Sequence, residues 1–288
     1  MQIDHAVAFK KINKCINKSN MTQLSNIIED ANNYNTTADD LMWKEQTYIN
    51  FPILYLASMY LYEYATSKGC NIFLFATRDC SYWHKIFAKM YPQAIVHYFN
   101  CSRVMLEKAT DDKNKHYNKY VKGMVSKENI KRTIYVDVHG TGERILKYFQ
   151  VNFGKIPRCF LLSASAHNYK ELLTKNSHKR AKKKLHCLIY NARGSPIEML
   201  NYDVVGTLYD FDKHGPIRSK LEYDEKFITP YKITIDYMVD NLIQPVDTKV
   251  ETPTRIILKL LKKIFKFILD DKPVIANYIR HIGTHPTK

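Results

Sequence analysis

A repeated order of apolar strand, polar loop and helix constrains the fold of this chain more than any other feature. Short runs rich in β-branched and aromatic residues lie at 71–76, 94–99, 133–136 and 158–162. Helical patterns follow the first run at 82–90 and the third at 143–151. Strands that alternate with helices predict βαβ units and therefore a parallel sheet. We expect an α/β protein with a Rossmann-like parallel sheet, whose ligands bind beyond the carboxyl ends of the strands.

The remaining sequence predicts two additions to this core. Residues 1–50 hold two polar helical candidates, at 6–17 and 21–33, and form a helical amino-terminal preface. The Rossmann-like core then occupies residues 51–175. Residues 176–288 form a carboxyl-terminal α+β extension, a hairpin and a helix, which we expect to pack on the core.

Three patterns inside these segments carry more specific expectations. The Lys-rich residues 104–132 predict a mobile helical insertion. A hairpin with a His-Gly-Pro turn is expected at 204–216, where Asp210 and Asp212 face solvent together rather than a metal. The helix at 254–269 has an apolar face and a stripe of lysines, and we favour core packing over binding at a membrane interface.

Charge and cysteine spacing narrow the classes of partner and compartment. Lys+Arg 44 against Asp+Glu 28 give a formal net charge of +16, which favours nucleic acid, phosphorylated small molecules or an acidic lipid surface. The six cysteines are scattered without a CxxC or CxxH pair, so we expect free thiols in a reducing, cytoplasmic setting. No apolar stretch is long enough to span a bilayer, and the motifs of serine hydrolases, zincins and P-loop NTPases are absent.

The most specific motif lies where the third strand meets the next helix. Asp137 ends the strand, and a Gly-Thr-Gly turn at 140–142 leads into a helix that begins near Glu143. Unpaired amides at a helix start, together with a threonine hydroxyl, form a cradle for phosphate. The simpler alternative is a turn whose glycines and threonine only cap the helix. Because the chain has only 9 Gly, two within three residues favour the phosphate site.

Charged residues also follow the first two strands. Arg78 and Asp79 come directly after the first strand, and Ser102 and Arg103 come after the second. A charge at the end of a buried strand is unfavourable unless it faces a ligand crevice or a partner, and arginine binds phosphate through two parallel bonds. An internal brace between an arginine and Asp79 or Asp137 fits the pattern equally well. We expect all three loops to meet at one edge of the sheet.

These patterns together predict a single site. The predicted catalytic residues are Asp137, His139, Arg78 and Asp79. The predicted phosphate-binding residues are Gly140, Thr141, Gly142, Glu143, Arg144, Ser102 and Arg103. His139 is expected to be a general acid or base. Mg²⁺ is the expected cofactor, held by Asp137, because carboxylates are ligands that this cation prefers.

One family with a similar loop transfers phosphorylated groups. The residues Val-Asp-Val-His-Gly-Thr-Gly-Glu-Arg-Ile at 136–145 resemble the signature of type I phosphoribosyltransferases, in which an acidic pair precedes a Thr-Gly turn and a helix. In that resemblance the turn after Phe75 lies where the family binds pyrophosphate. Val136 stands in place of the first acid, which alters the expected ribose contact.

A second family hydrolyses phosphate esters. Asp-Val-His-Gly-Thr at 137–141 resembles the first motif of the haloacid-dehalogenase-like (HAD-like) phosphohydrolases, with His139 in place of the second acid. Ser163 or Ser165 is the counterpart of a later motif in that family. The resemblance implies that Asp137 is a nucleophile.

A wider resemblance covers about two thirds of the chain. Residues 75–79, 100–103, 136–141 and 194–198 resemble, in order, the motifs of a region that follows HAD-like domains in bacterial surface-polysaccharide proteins. We expect no counterpart of the amino-terminal nucleophile domain of those proteins in residues 1–50, which hold the helical preface. Together with the two loop resemblances, this one implies a phosphosugar or nucleotide site.

Three functions follow from these observations. The first is a phosphosugar- or nucleotide-binding enzyme with phosphoribosyltransferase-like group transfer, and the second is a HAD-like phosphohydrolase that uses Asp137. The third is a non-catalytic nucleic-acid-binding or scaffold protein, motivated by the charge and by a basic run. The run contains Lys179, Arg180, Lys182, Lys183 and Lys184.

Overall fold

The computed structural model describes residues 5–34, 41–111, 114–164, 183–190, 196–221, 225–246 and 253–270. The chain begins with helices α1 (His5–Asn17), α2 (Thr22–Tyr34) and α3 (Leu41–Glu45). A π-helical turn at Gln46–Asn50 leads directly into α4 (Phe51–Ser67). Helices α1 and α2 lie within a residue or two of the predicted helical candidates, and α4 matches the apolar spacing, whereas α3 and the π-helical turn were not predicted.

Five parallel strands form the central sheet, as the strand and helix pattern predicts. The strands are β1 (Ile72–Ala76), β2 (Ile95–Phe99), β3 (Thr133–His139), β4 (Arg158–Ala164) and β5 (Leu185–Tyr190). Their order in the sheet is β2-β1-β3-β4-β5. The chain moves outwards from β1 to β2 on one side and from β3 to β5 on the other. The direction of winding therefore reverses between β1 and β3, which is where open α/β sheets bind ligands.

The third strand is longer than its apolar run suggests. It extends through Val138 to His139, so Asp137 and His139 belong to the strand rather than to the loop expected from the sequence. Asp137 lies opposite Leu161 of β4, and His139 lies opposite Ser163. Side chains alternate along a strand, and the buried Val136 and Val138 occupy the other face.

Two helices occupy the Lys-rich region between β2 and β3. They are α6 (Arg103–Asp111) and α7 (Lys115–Met124), followed by a 3₁₀ turn at Ile130–Arg132. The prediction of helices is correct, but the insertion is not a mobile element that stands off the core. Met105, Tyr117 and Val121 are fully buried, and α6 packs on α8 (Glu143–Phe153). The apolar residues that lie between the lysines therefore anchor this region in the hydrophobic core.

Helices connect the strands of the sheet, and further helices follow the last strand. Helix α5 (Ser81–Met90) follows β1 and packs against α4. Carboxyl-terminal to the sheet lie α9 (Pro196–Met199), a 3₁₀ turn at Glu225–Phe227, α10 (Thr229–Asn241) and α11 (Thr254–Asp270). Helix α11 packs on α4 and buries Ile257, Leu261 and Ile264, which confirms the prediction of core packing. None of the helices in the described ranges is long and apolar enough to cross a membrane.

A hairpin is present, but it spans 208–218 rather than 204–216, and its turn is Lys213-His214 because Gly215 and Pro216 belong to the second strand. Asp210 and Asp212 are half-buried, so the expectation that both face solvent is wrong. Strands β6 (Leu208–Asp212) and β7 (Gly215–Arg218) pair antiparallel. Asp210 contacts Lys108 and Asn114, while Asp212 accepts hydrogen bonds from the turn amides of His214 and Gly215. Both carboxylates therefore have structural roles in the hairpin and its attachment to the neighbouring helices.

Candidate functional site

The three predicted loops meet at the carboxyl edge of the sheet. They follow β1, β2 and β3, which are neighbours in the order β2-β1-β3. The Thr77 hydroxyl ties two of the loops together: it donates to the Cys101 carbonyl at 2.9 Å and accepts from the Cys101 amide at 3.0 Å. A buried threonine thus fixes the spacing between the loop with Arg78 and Asp79 and the loop with Ser102 and Arg103.

Asp137 lies at the centre of this edge. Its side chain keeps some exposed surface, but protein surrounds it on most sides. The Tyr135 hydroxyl donates a hydrogen bond to Asp137 Oδ2 at 3.2 Å. Burial, followed by the nearby charge of Asp79, raises the pKa of the Asp137 carboxyl to about 7. A pKa raised by burial and a neighbouring carboxyl marks Asp137 as a candidate for a functional group.

Asp79 brings a second carboxyl to the same place. Burial raises its pKa, and the positive charges of Arg78 and Arg103 oppose that effect. The Arg78 guanidinium also lies over the Tyr202 ring, 6.0 Å from its centroid. Two carboxyls and two guanidinium groups are therefore close together at the reversal point of the sheet. The arginines favour the charged form of Asp79, and their guanidinium groups lie beside the carboxyl edge of the sheet.

His139 has a defined hydrogen-bonding state. Its Nδ1 lies 2.9 Å from the Ser163 hydroxyl oxygen, and that hydroxyl donates its single proton to the Val138 carbonyl at 3.0 Å. When the Ser163 hydroxyl donates to Val138 in this way, His139 donates through Nδ1–H, which leaves the lone pair of the neutral ring on Nε2. Burial, and then the charge of Arg103, lowers the pKa of His139 to about 4. The imidazole is therefore neutral at pH 7 and can accept a hydrogen bond through Nε2.

The two glycines of the 140–142 turn lie against neighbouring side chains, which leaves no room for a Cβ without adjustment. A Cβ on Gly140 would lie 3.3 Å from Asp137 Oδ2, and a Cβ on Gly142 would lie 2.6 Å from Cys159 Sγ. Gly142 also has φ of +70° at the start of α8, where no side chain caps the helix. The Thr141 hydroxyl accepts a long hydrogen bond of 3.4 Å from the Glu143 amide. The helix start is therefore held by backbone geometry and faces the region of Asp137.

Two of the predicted phosphate ligands have other contacts. The Ser102 hydroxyl caps α6 through the Met105 amide and donates to the Leu208 carbonyl, so it joins the hairpin to the sheet. Arg144 forms an ion pair with Glu107 at 2.5 Å on the outer surface. Ser102 and Arg144 therefore link elements next to the candidate site: the hairpin to the sheet, and α8 to α6.

Several residues around Asp137 were not expected from motif reasoning. Tyr135 could have been found from strand alternation, since it lies two residues before Asp137 on the same face. Cys80, Cys101 and Cys159 are buried, and the charge of Asp137 helps to raise the pKa of each thiol. All six cysteines are free. Tyr202 comes from a distant segment, and no local pattern marks it.

Of the five residues of the basic run, Lys183 and Lys184 lie within the described ranges. Lys179, Arg180 and Lys182 lie outside the described residues, as does Ser165. Lys183 is exposed, whereas the Lys184 ammonium donates to the Ile156 carbonyl and burial lowers its pKa. Lys184 therefore anchors the start of β5 to the preceding loop.

Within the described ranges, no group of three or more His, Cys, Asp or Glu side chains is arranged to hold a metal ion. The site offers two carboxyls, Asp137 and Asp79. No protein-family model, no curated protein and no solved structure matches this chain.

Proposed function

We propose that this protein binds a phosphosugar or a nucleotide at the β1/β3 edge and transfers a phosphorylated group. One observation carries the proposal: two half-buried carboxyls, Asp137 and Asp79, share the edge with Arg78 and Arg103, next to the Gly-Thr-Gly turn that leads into α8. Two carboxyls held partly out of water beside each other are unfavourable unless a cation or a ligand compensates them.

Each part of the edge has a role in this proposal. The amides at the start of α8 and the Thr141 hydroxyl would hold the phosphate oxygens. Arg78 and Arg103 would neutralise the charge that develops on the transferred group. Asp137 would accept a proton from the attacking hydroxyl or bind the ribose hydroxyls, since its pKa is near 7. Neutral His139 would accept a hydrogen bond through Nε2.

Mg²⁺ is compatible with these side chains. The cation is commonly held by one or two carboxylates, with substrate phosphates and waters completing its coordination. Asp137 and Asp79 would supply the carboxylates, and binding of the cation would favour their ionised forms. When bound, Mg²⁺ would offset phosphate charge. We expect ligand affinity to fall when the cation is removed by a chelator.

Binding measurements test the proposal directly. Thermal-shift and calorimetric assays with phosphoribosyl pyrophosphate, nucleotides and sugar phosphates should identify a ligand of the wild type. Asp137→Ala and Thr141→Val should each weaken that ligand by about tenfold or more, because each removes a polar contact with it. Asp240→Ala is the matched control, since Asp240 is an exposed carboxylate outside the site. No ligand for the wild type, or equal affinity in all variants, would refute the proposal.

A specific contact favours a second candidate, the HAD-like phosphohydrolase. Ser163 was the expected counterpart of a later motif of that family, and its hydroxyl contacts His139 on the strand next to Asp137. In this reaction the Asp137 carboxylate would attack phosphorus and expel the substrate oxygen as an alcohol, with the proton supplied by protonated Asp79. Water would then hydrolyse the aspartyl phosphate, with its proton passing to His139 Nε2.

Asp137→Asn separates the two candidates. It should abolish phosphatase turnover if Asp137 is the nucleophile, and beryllofluoride should then bind the wild type as a phosphate mimic. Unchanged phosphate release by Asp137→Asn would exclude the hydrolase. Product analysis with phosphoribosyl pyrophosphate and an acceptor would reveal group transfer in its place.

A further inference from the structure

A face of cationic side chains lies on two helices that are remote in sequence, α1 and α11. The members on α11 are Arg255, Lys259, Lys262, Lys263 and Lys266, and all are exposed. Those in and just after α1 are Lys10, Lys11, Lys14 and Lys18, also exposed. The two helices contact each other. We call these nine residues the basic face.

The basic face points away from the core on both helices. Along α11 the cations recur at i, i+4, i+7, i+8 and i+11, which is the spacing of one helix surface. The buried residues Ile257, Leu260 and Ile264 occupy the opposite surface. Likewise, α1 buries Phe9 and Ile12 opposite its lysines. The cations therefore lie on the outward surfaces of two contacting helices whose opposite surfaces pack on the core.

The basic face is also separate from the candidate site. Helix α11 packs on α4, and Tyr64 of α4 contacts Phe160 and His186 of the sheet. Helix α4 thus lies between α11 and the sheet, whereas the candidate site lies at the carboxyl edge of the strands. The phosphate chemistry of that edge does not account for these nine cations.

Few negative charges offset the basic face. Helix α1 contains no Asp or Glu, and the single carboxylate of α11 is its last residue, Asp270. Among the described residues, Arg255, Lys259, Lys262 and Lys263 form no ion pair. Helix α11 extends about 25 Å at 1.5 Å per residue. The face is long enough to contact several anionic groups at once.

We propose that the basic face docks the protein on a bilayer that contains anionic lipid. The apolar surface of α11 is already used in the core, so attachment would be electrostatic and the helix would lie flat on the headgroups. Exposed Val7 and Ile256 flank the cations and are suited to the boundary of an apolar layer. A single-stranded nucleic acid is less suited, because it stacks on aromatic side chains, and Phe9 and Phe265 of these helices are buried.

Vesicle co-sedimentation of the full chain tests this docking. The probes are phosphatidylcholine vesicles with and without phosphatidylglycerol, over a series of salt concentrations. The wild type should bind only the phosphatidylglycerol vesicles, and binding should weaken as salt rises. Changing Lys259, Lys262 and Lys263 to Gln should weaken binding by about tenfold or more, since each charge near an anionic surface contributes about fivefold. Changing Lys10, Lys11 and Lys14 to Gln should have a similar effect.

A control variant that loses the same charge outside the basic face tests whether binding depends on the basic face or only on the net charge of the protein. Lys115, Lys119 and Lys122 are exposed on α7, and changing them to Gln should alter vesicle binding by less than about threefold. Circular dichroism should match the wild type for all variants, because these side chains are exposed. Absent binding, or an equal loss in the α7 variant, would overturn the proposal. So would tighter binding of polyuridylate RNA than of vesicles, lost in the α11 variant.

Discussion

The carboxyl of Asp137 is stabilised in its protonated form by the folded protein. Its pKa is raised to about 7, whereas an aspartate in an unfolded chain titrates at about 3.9. Between these two pH values the folded state holds a proton that the unfolded state has released. The free energy of unfolding therefore falls as pH rises through this window, by about 1.4 kcal/mol per pH unit at most. Such a penalty is typical of a group that is kept for function.

Asp137→Asn should remove that penalty. Asparagine resembles the protonated carboxyl and can still accept the hydrogen bond from Tyr135. We expect the variant to be more stable than the wild type by about 2–4 kcal/mol above pH 7, with the difference vanishing near pH 4. Urea unfolding of both proteins across this range measures the difference. A constant difference at all pH values would contradict the raised pKa.

The tautomer of His139 gives a second prediction at the same scale. Ring ¹⁵N spectra at pH 7 should show a neutral imidazole with its proton on Nδ1, since Ser163 accepts from it. Ser163→Ala removes the acceptor and should shift the ring towards the Nε2–H form. Arg103→Gln should raise the pKa of His139, because the positive charge of Arg103 lowers it. An Nε2–H ring in the wild type would invalidate the proposed proton acceptor.

At the scale of elements, α8 is flanked at both ends by a glycine in the left-handed backbone conformation. Gly142 at its start and Gly154 at its end both have positive φ, +70° and +67°. A Cβ at Gly154 meets nothing within 4 Å, whereas one at Gly142 would lie 2.6 Å from Cys159 Sγ. The first glycine is thus required by both conformation and packing, and the second by conformation alone.

Alanine substitutions should separate these two requirements. Gly154→Ala should cost about 1 kcal/mol of unfolding free energy, the price of a left-handed alanine. Gly142→Ala should cost about 2–4 kcal/mol, because Cys159 must also move. The second substitution should weaken ligand binding as well, since it displaces the turn beside Asp137. Equal costs in chemical denaturation would show that Cys159 yields without strain.

Elements with a clear apolar period were predictable from the sequence. The helical spacing at 51–67 and the runs around β1 and β2 locate those elements to within a residue or two. The end of β3 was not predictable, because Asp137 and His139 are polar and resemble a loop. They remain in the strand because their backbone pairs with β4, next to Leu161 and Ser163, and pairing between distant strands leaves no mark in local sequence.

The candidate site was predictable where it depends on strand ends. Parallel strands place their carboxyl ends together, so the convergence of Arg78, Asp79 and Asp137 followed from the strand and helix order alone. The contact of Arg78 with Tyr202 was not predictable, since it joins residues from opposite ends of the fold. The roles of Ser102 and Arg144 also depend on partners, Leu208 and Glu107, that only tertiary packing supplies.

Across the whole molecule, a single hydrophobic cluster includes residues from the preface, the sheet and the carboxyl-terminal helices. Buried amides link these regions as well. Asn50 and Asn201 exchange hydrogen bonds of 3.0 and 2.8 Å, and Gln46 donates to the Leu200 carbonyl at 2.5 Å. The Ser81 hydroxyl donates to the Asn201 carbonyl at 3.3 Å. Asn201 therefore ties the helical preface to the segment that carries Tyr202 to the candidate site.

This continuity predicts that the chain unfolds in one cooperative transition. Trp43 lies in the preface and Trp83 in α5, and both are buried, so Trp43→Phe and Trp83→Phe leave one fluorescent reporter in each region. In each variant, the urea profile of the remaining tryptophan should coincide with the loss of far-ultraviolet circular dichroism of the same protein. Asn201→Ala should lower the midpoint of both, by about 2–4 kcal/mol of unfolding free energy, because it leaves Asn50 short of a buried partner. Asn241→Ala, which removes an exposed hydrogen bond of 2.9 Å to the Tyr237 carbonyl, should cost less than about 1 kcal/mol. If Trp43 loses its signal at a lower urea concentration than the circular dichroism of the same variant, the preface unfolds as a separate unit and the amide link does not couple it to the sheet.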